Sequence, residues 1–461
     1  MKPPLRLFLL FALMILAASP PIASAQEGEG GPIYVVQDGD TLTAIALRFG
    51  TTVDALVQAN GISDPAAIQP GMRLVLPGFE GVSGVLTFHE VAFGESLGSL
   101  AASYGLSTSA LAKLNRWVHP AGVYVGEPAI VPEPESGGPV PGRTEFLASG
   151  EGLLEAAVRS GANPWLLTGS DGALWETPGE PIYVPGGDST PSDLPPGLSS
   201  VALNPLPVVQ GYTTVLTAVA DPGLTLEGKL AGHTLKLILD DAERAGWVAL
   251  QGIYALQPPG LVDLELRVTT RGVDVAYRQP VRVADGGFGR ESLQGIPAET
   301  LDPANTVPED EHIAEIVAPV TFDRLWSGVF QFPTDYFETF PSRFGTRRSY
   351  NGSDYIYYHT GLDLYGNPKT PVYAPAPGRV VFAGPLTVRG NATYIDHGWG
   401  VYTGYLHQSE IFVQPGDLVN TGDTIGMVGA TGRVTGAHLH WEMWVGGVPV
   451  QPLEWTERVM P

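Results

Sequence analysis

The chain reads as multidomain: small α+β repeats in front, an all-β sandwich spacer in the middle, and an antiparallel all-β domain at the C-terminal end. Three observations predict this. A stretch of about 45 residues, in which the hydrophobic period changes from two to 3.6 and back, recurs down the first third of the chain. From Leu198 the texture becomes short alternating runs punctuated by Gly and Pro. After Val320 short strands continue between Gly/Pro turns with no convincing helix. A length of 461 residues agrees with three or more domains, and the absence of cysteine leaves hydrophobic cores as the source of stability.

Residues 1–25 have the pattern of an export signal. Lys2 and Arg6 form a charged start, Leu7 to Ala18 an apolar run, and Ala23-Ser24-Ala25 a small-residue cleavage site. The run is about a dozen residues, short of the roughly 20 that a spanning helix needs, so a mature chain with no integral membrane segment is expected. The expected location is secreted: extracellular or cell-wall-associated, and periplasmic if the cell has an outer membrane. With 48 acidic against 25 basic residues the net charge is -23, which makes nucleic acid and anionic membrane surfaces poor partners.

The first repeat, residues 33–78, opens with alternating residues suited to a strand. Thr41 then caps a helix carrying Leu42, Ile45, Ala46 and Phe49 and stopped at Gly50. A second helix fits Thr52 to Ala59, and Pro70-Gly71 turns the chain into a strand from Arg73 to Leu76. The motifs DGDTLTAIALRFG, the Asn60 that follows, and IQPGMRLVLP resemble a LysM domain, a family that binds N-acetylglucosamine-containing glycans such as peptidoglycan. Residues 86–132 form a divergent copy in which Phe93-Gly94-Glu95-Ser96 replaces the Asp-Thr opening, and residues 144–186 a degenerate one. Sugar binding is expected of the first copy, and of the other two the fold more than the function.

Residues 187–197, rich in Pro, Gly, Asp and Ser, read as a linker. Residues 198–285 contain runs such as TTVLTAVA and VDLELRVTT, the pattern of an immunoglobulin-like β-sandwich spacer. Residues 286–327 are acidic and proline-punctuated and read as a linker with one short helix, from Asp310 to Val317.

Chemistry concentrates in residues 328–456. Of nine histidines, His359, His397, His407, His438 and His440 lie from position 359 onward. In HTGLDL an extended backbone turns His359 and Asp363 to one face, and in HLHWEMW alternation puts His438, His440 and Glu442 on one face with Leu439, Trp441 and Met443 toward the core. Residues two apart on a strand are about 6.6 Å apart, so neighbouring imidazoles can share a metal, or one can bind it while the other reaches its water. Two imidazoles and a carboxylate leave a fourth position open, as in catalytic rather than structural zinc sites. Trp399, Tyr402, Tyr405 and Trp444 are candidates either for lining a groove or for core packing. His397, in IDHGWG, reads as a hydrogen-bonded turn residue, and Glu442 as a support for the histidines rather than a base, since no HExxH motif is present. Arg343 and Arg347 are weaker candidates for reaching substrate carboxylates.

Taken in order, FPSRFGTRR, YYHTGLDL, TPVYAPAPGRVVFAG, YIDHGWGVYTGYLH, VQPGDLVNTGDTIGMVGATG and TGAHLHWEM resemble the lysostaphin-type zinc peptidoglycan endopeptidases. The resemblance implies a sheet-rich domain with a groove across one sheet and one Zn2+ on its floor. It further implies that His359, Asp363 and His440 bind the ion, that His438 is the general base toward the attacking water, and that His407 steadies the oxyanion and assists proton transfer. The implied activity is hydrolysis of peptide bonds in stems or crosslinks, with the LysM repeats holding the glycan. Some relatives that lack zinc ligands instead bind the cell wall and activate an amidase. All five motif residues are present here.

Overall fold

The structure is a computed structural model and describes residues 31–119, 122–133, 142–148, 150–167, 181–185, 194–241, 246–270 and 273–461. The signal segment 1–25 and residues 187–193 of the linker lie outside them. None of the described helices is long and apolar enough to cross a membrane. The chain divides into two compact units, Met1–Leu86 and Thr87–Pro461.

In the first unit, strands Ile33–Val35 and Arg73–Val75 pair antiparallel around helices Leu42–Phe49 and Val53–Asn60. The first helix ends where the sequence puts it, and the second is shifted by one residue, with Thr52 as its cap and Asn60 as its last residue. Thr41 and Thr52 accept hydrogen bonds from the third backbone N–H beyond each of them, and Gly50 and Gly61 close the helices at φ 62° and 60°. Leu42, Ile45, Phe49, Leu56 and Leu74 fill the core. Asn60 ties the last helix to the last strand: its amide donates to Leu56 O and Val75 O at 2.9 Å, and its Oδ1 accepts from Val75 N at 2.7 Å.

The second repeat follows the same plan, with helices Leu97–Ser103 and Thr108–Asn115 and strand Pro128–Glu133. Asn115 repeats the tie, to Leu111 O and to both polar backbone groups of Ile130. The altered opening does no structural harm because Ser96 caps the helix reciprocally with Ser99. In the third segment, helices Leu153–Ser160 and Pro164–Leu167 stand between antiparallel strands Gly142–Phe146 and Pro181–Pro185, with residues 168–180 outside the described set.

The second repeat is seated on the sandwich rather than tethered to it. Phe93 and Val125 enter the sandwich core, and the Gly94 N–H donates to Tyr277 OH and Gln279 Oε1 at 2.8 Å. That core lies between two sheets. One runs Ile238–Asp241, Gly246–Gly252, Thr213–Ala220, Leu198–Asn204, and the other is centred on Gly260–Thr270 and Val273–Ala284. The outer face of the first sheet is apolar too. Val215, Val248 and Leu250 share a core with Leu362, Trp441 and Trp455 of the last domain. A Cβ on Gly252 would meet Val450 at 2.7 Å, so the two layers are in direct contact.

The last domain is built on an antiparallel sheet in the order Leu362–Leu364, Leu439–Val445, Val401–Gln408, Gly390–Gly398, Gly378–Leu386, Leu418–Val419. A five-residue helix, Leu453–Glu457, follows it, where the sequence pattern predicts none. One face, with Leu439, Trp441, Met443 and Val445, joins the core shared with the sandwich.

Residues 286–327 are more structured than a linker with one short helix. Arg290–Leu293 pairs parallel with Arg347–Tyr350, and the helix runs Pro303–Val317, seven residues earlier than the sequence suggests. Pro303 is compatible because it sits at the first turn behind the Asp302 cap, where its missing N–H costs nothing. Ile313 and Val317 pack on Ala392, Tyr394, Tyr402, Leu406 and Trp444, so this helix roofs part of the sheet face that carries the histidines.

Candidate metal centre

His440 lies on the central strand Leu439–Val445, paired with Asp363 on one side and Leu406 on the other. His359 reaches the same point from the loop before Leu362–Leu364. Gly361 permits this, since a Cβ there would sit 2.4 Å from Trp441 O and 2.7 Å from His440 Nε2. His359 Nε2 lies 2.8 Å from His440 Nδ1 and 2.9 Å from Asp363 Oδ1, and His440 Nδ1 lies 3.0 Å from Asp363 Oδ1.

Hydrogen-bond partners assign the tautomers. His359 Nδ1 is 3.0 Å from the Arg343 carbonyl, which can only accept, so the proton is on Nδ1 and Nε2 presents a lone pair. His440 has a carboxylate oxygen at each ring nitrogen, Asp363 Oδ1 at 3.0 Å from Nδ1 and Glu442 Oε1 at 3.3 Å from Nε2; in the tautomer with hydrogen on Nε2, the Nδ1 lone pair faces His359 and Asp363. Burial opposes the charge on Glu442, but the His440 hydrogen bond and the Arg389 charge outweigh it, and the carboxyl lies below the ordinary range. Burial likewise opposes the charge on Asp363, yet His359 and His440 hold it well below its usual value. Three buried donor atoms therefore converge at a spacing that one metal ion could bridge. Burial also lowers His359 to about 4, leaving it neutral as a metal ligand must be. His440 is raised: Asp363 and Glu442 overcome its desolvation.

The surrounding groups hold these three side chains in place. Glu442 accepts from Thr360 Oγ1 at 2.7 Å, Tyr394 OH at 2.7 Å and Trp444 Nε1 at 2.9 Å. Arg348 donates to Asp363 Oδ2 at 3.3 Å and to Ser342 Oγ at 3.1 Å, leaving Oδ1 toward the imidazoles.

The two remaining imidazoles stand beside the three donors. The His438 side chain is 17% exposed, whereas His359, His407 and His440 are buried. It precedes the strand instead of lying within it, with Nδ1 2.9 Å from Gly436 O and Nε2 3.5 Å from Asp363 Oδ1. His407 has its ring centroid 5.1 Å from His438 and 5.9 Å from His440, and its Nδ1 is 2.8 Å from Thr431 O. In both rings Nδ1 faces a carbonyl oxygen, which can only accept, so Nδ1 carries hydrogen. Burial, with His438 and His440 nearby, puts His407 well below its ordinary pKa.

The other sequence candidates are placed as follows. His397 is buried away from the centre, between Pro377 O and Thr403 Oγ1. Trp399, Tyr402, Tyr405 and Trp444 are buried in the domain. Arg343 acts through its carbonyl, and Arg347 binds Ala255 O of the sandwich. Sequence reasoning missed Arg348: nothing in RRSY separates it from its neighbour, and only the register of its strand turns it toward Asp363.

An antiparallel sheet bearing two imidazoles and one carboxylate as metal donors, with two more imidazoles alongside, has the layout of a metal-dependent hydrolase. Residues 357–452 match peptidase family M23, and residues 34–77 and 89–132 match the LysM domain. The chain thus carries two LysM domains and a peptidase family M23 domain. It is 38% identical over 132 residues to the peptidoglycan DD-endopeptidase ShyA of Vibrio cholerae, covering 29% of this chain and 31% of the relative. It is 46% identical over 95 residues to the DD-carboxypeptidase/endopeptidase Mpg of Neisseria meningitidis, covering 21% and 22%. The chain spans less than a third of the length of these relatives. A solved M23 peptidase from Pseudomonas aeruginosa aligns at 25% identity over 55% of this chain and 96% of its own, with a TM-score of 0.39.

Proposed function

We propose that this chain is a secreted zinc-dependent endopeptidase that hydrolyses peptide bonds in the stems or crosslinks of bacterial peptidoglycan, with its LysM repeats on the glycan. The observation that carries the reading is the convergence of His359 Nε2, Asp363 Oδ1 and His440 Nδ1 beside the imidazoles of His407 and His438. The relatives ShyA and Mpg, both named for endopeptidase activity, supply the substrate class.

His359, Asp363 and His440 would hold the ion. When bound, zinc acts as a Lewis acid and lowers the pKa of a water from about 15.7 toward about 7. His438, the partly exposed imidazole, takes a proton from the attacking water on Nε2 as the water oxygen bonds to the scissile carbonyl carbon. The same proton then passes to the departing amine as the C–N bond breaks. His407 Nε2 is bare at rest, so it donates to the oxyanion only after taking up a proton, which favours a proton-transfer role over a standing oxyanion donor. The sandwich is read as an immunoglobulin-like spacer. Seated between the second repeat and the peptidase domain, it sets the reach between glycan and cleaved peptide.

Purified mature chain incubated with peptidoglycan should release new amino groups, and a chelator should stop the release. His438→Ala should cut the rate by about a hundredfold to ten thousandfold while zinc stays bound. Release that survives the chelator overturns the metal assignment. Stimulation of an amidase without release of amino groups marks the non-catalytic alternative.

A further inference from the structure

His407 is held in a costly conformation. Its φ is 66°, in the left-handed region that crowds a residue with a Cβ, and such strain persists only where the surroundings impose it. Two contacts impose it here. The His407 N–H donates to Arg389 O at 3.0 Å, and the ring Nδ1 bonds Thr431 O at 2.8 Å.

Both contacts are anchored on one turn, between strands Gly378–Leu386 and Gly390–Gly398. Asn391 N donates to Thr431 Oγ1 at 2.9 Å and Arg433 N to Val388 O at 2.8 Å, so the loop carrying Thr431 is fastened to the turn. The packing is close enough that a Cβ on Gly390 would lie 2.4 Å from Thr431 O. The turn is itself held from outside the matched peptidase segment. Glu309, on helix Pro303–Val317, accepts from Val388 N at 2.7 Å, Arg389 N at 3.0 Å and Arg389 Nη1 at 3.1 Å, and Asp310 takes the same Nη1 at 2.9 Å. Glu309 is 7% exposed, and the three hydrogen bonds it accepts from the turn offset the cost of burying its charge.

We propose that Glu309 is a positioning residue for His407: the helix before the peptidase domain clamps the 387–389 turn and so sets the backbone and ring of a catalytic imidazole that it does not touch. This rests on the endopeptidase reading for its consequence in rate, but not for its consequence in structure. A residue that merely stabilised the domain would lower the melting temperature without selecting His407.

The test uses the full mature chain with Glu309→Gln, which keeps the side-chain shape but replaces one acceptor oxygen by a donor and removes the charge facing Arg389. On a crosslinked stem peptide, kcat should fall about tenfold to a hundredfold, with KM within about twofold and zinc affinity, from competition with a chromophoric chelator, within about threefold. In a His407→Ala background the same substitution should cause no further loss of kcat, because the route through His407 is already gone. Long-range 1H–15N spectra of the zinc-free, 15N-histidine-labelled protein should show the His407 ring signals moved and those of His397 unmoved. The proposal is overturned by kcat within twofold of the parent, by an equal loss in both backgrounds, or by unmoved His407 signals. If the Gln variant does not fold, Glu309→Asp, one methylene shorter with its charge kept, is read by the same criteria. If the parent itself releases no amino groups, the endopeptidase reading fails, while the histidine spectra still decide whether Glu309 holds His407.

Discussion

Replacing Glu442 with glutamine changes one oxygen to NH2 and removes one charge, and the structure dictates why so small a change matters. The carboxylate is fully buried and receives four donors, with Thr360 Oγ1 and His440 Nε2 on Oε1 and Tyr394 OH and Trp444 Nε1 on Oε2. A hydroxyl can rotate and accept instead, but the indole N–H cannot. If the amide nitrogen replaces Oε2 it faces the Trp444 N–H, and one buried donor goes unmet at a cost of about 1 to 3 kcal/mol. If it replaces Oε1 it faces His440 Nε2, which then sheds its proton to Nδ1 and loses the lone pair offered to the metal. Either way the variant should be less stable or bind the ion less well, and losing such a partner of a ligating histidine typically costs about tenfold to a hundredfold in affinity, or about 1.4 to 2.7 kcal/mol. The assay is chelator competition for zinc alongside thermal unfolding of the peptidase domain. A Gln variant that binds zinc within threefold of the parent and melts at the same temperature would falsify the assigned tautomer of His440 and the role given to Glu442.

Two further perturbations test the scaffold. Burial pushes Glu454 up to about 7 where it accepts from Thr213 N across the contact with the sandwich, so between pH about 4.5 and 7 the folded chain holds a proton that the unfolded chain has released. Stability is then greatest below that window and should fall as pH rises through it, by up to about 3 kcal/mol, and Glu454→Gln should flatten the slope of melting temperature between pH 5 and 8; an unchanged slope refutes the assignment. Asn60→Ala strips both polar backbone groups of Val75 of their side-chain partner and should destabilise the first repeat by on the order of 2 kcal/mol, read as faster amide exchange at Val75; unaltered exchange there would count against the tie.

Much of the fold was legible because it is written in local chemistry. Thr41, Gly50, Thr52 and Gly61 bound the first repeat's helices through caps that act over three or four residues. The strand alternation of LHWEMW put Trp441 and Met443 into a core, as found. His359, Asp363 and His440 came from the family resemblance, spacing alone leaving open which of the histidines would face the others, and the fold brings these three together.

Helix Pro303–Val317 was largely hidden, because Pro303, Pro308 and a run of acids disguise it, and its apolar contacts Ile313 and Val317 make sense only against Tyr394 and Trp444, about 80 to 130 residues away. The sequence alone determined the order of the domains, the chemistry available to them and the residues with the right donor atoms, since these follow from side-chain type and from periodicities of two and 3.6. Tertiary structure decided which nitrogen of each imidazole faces the centre, that Arg348 and Glu442 orient its ligands, that Glu309 reaches the turn behind His407, and that sandwich and peptidase domain share a core. Those outcomes depend on hydrogen-bond partners and packing faces brought together by strand register across long stretches of chain, and no local pattern encodes them.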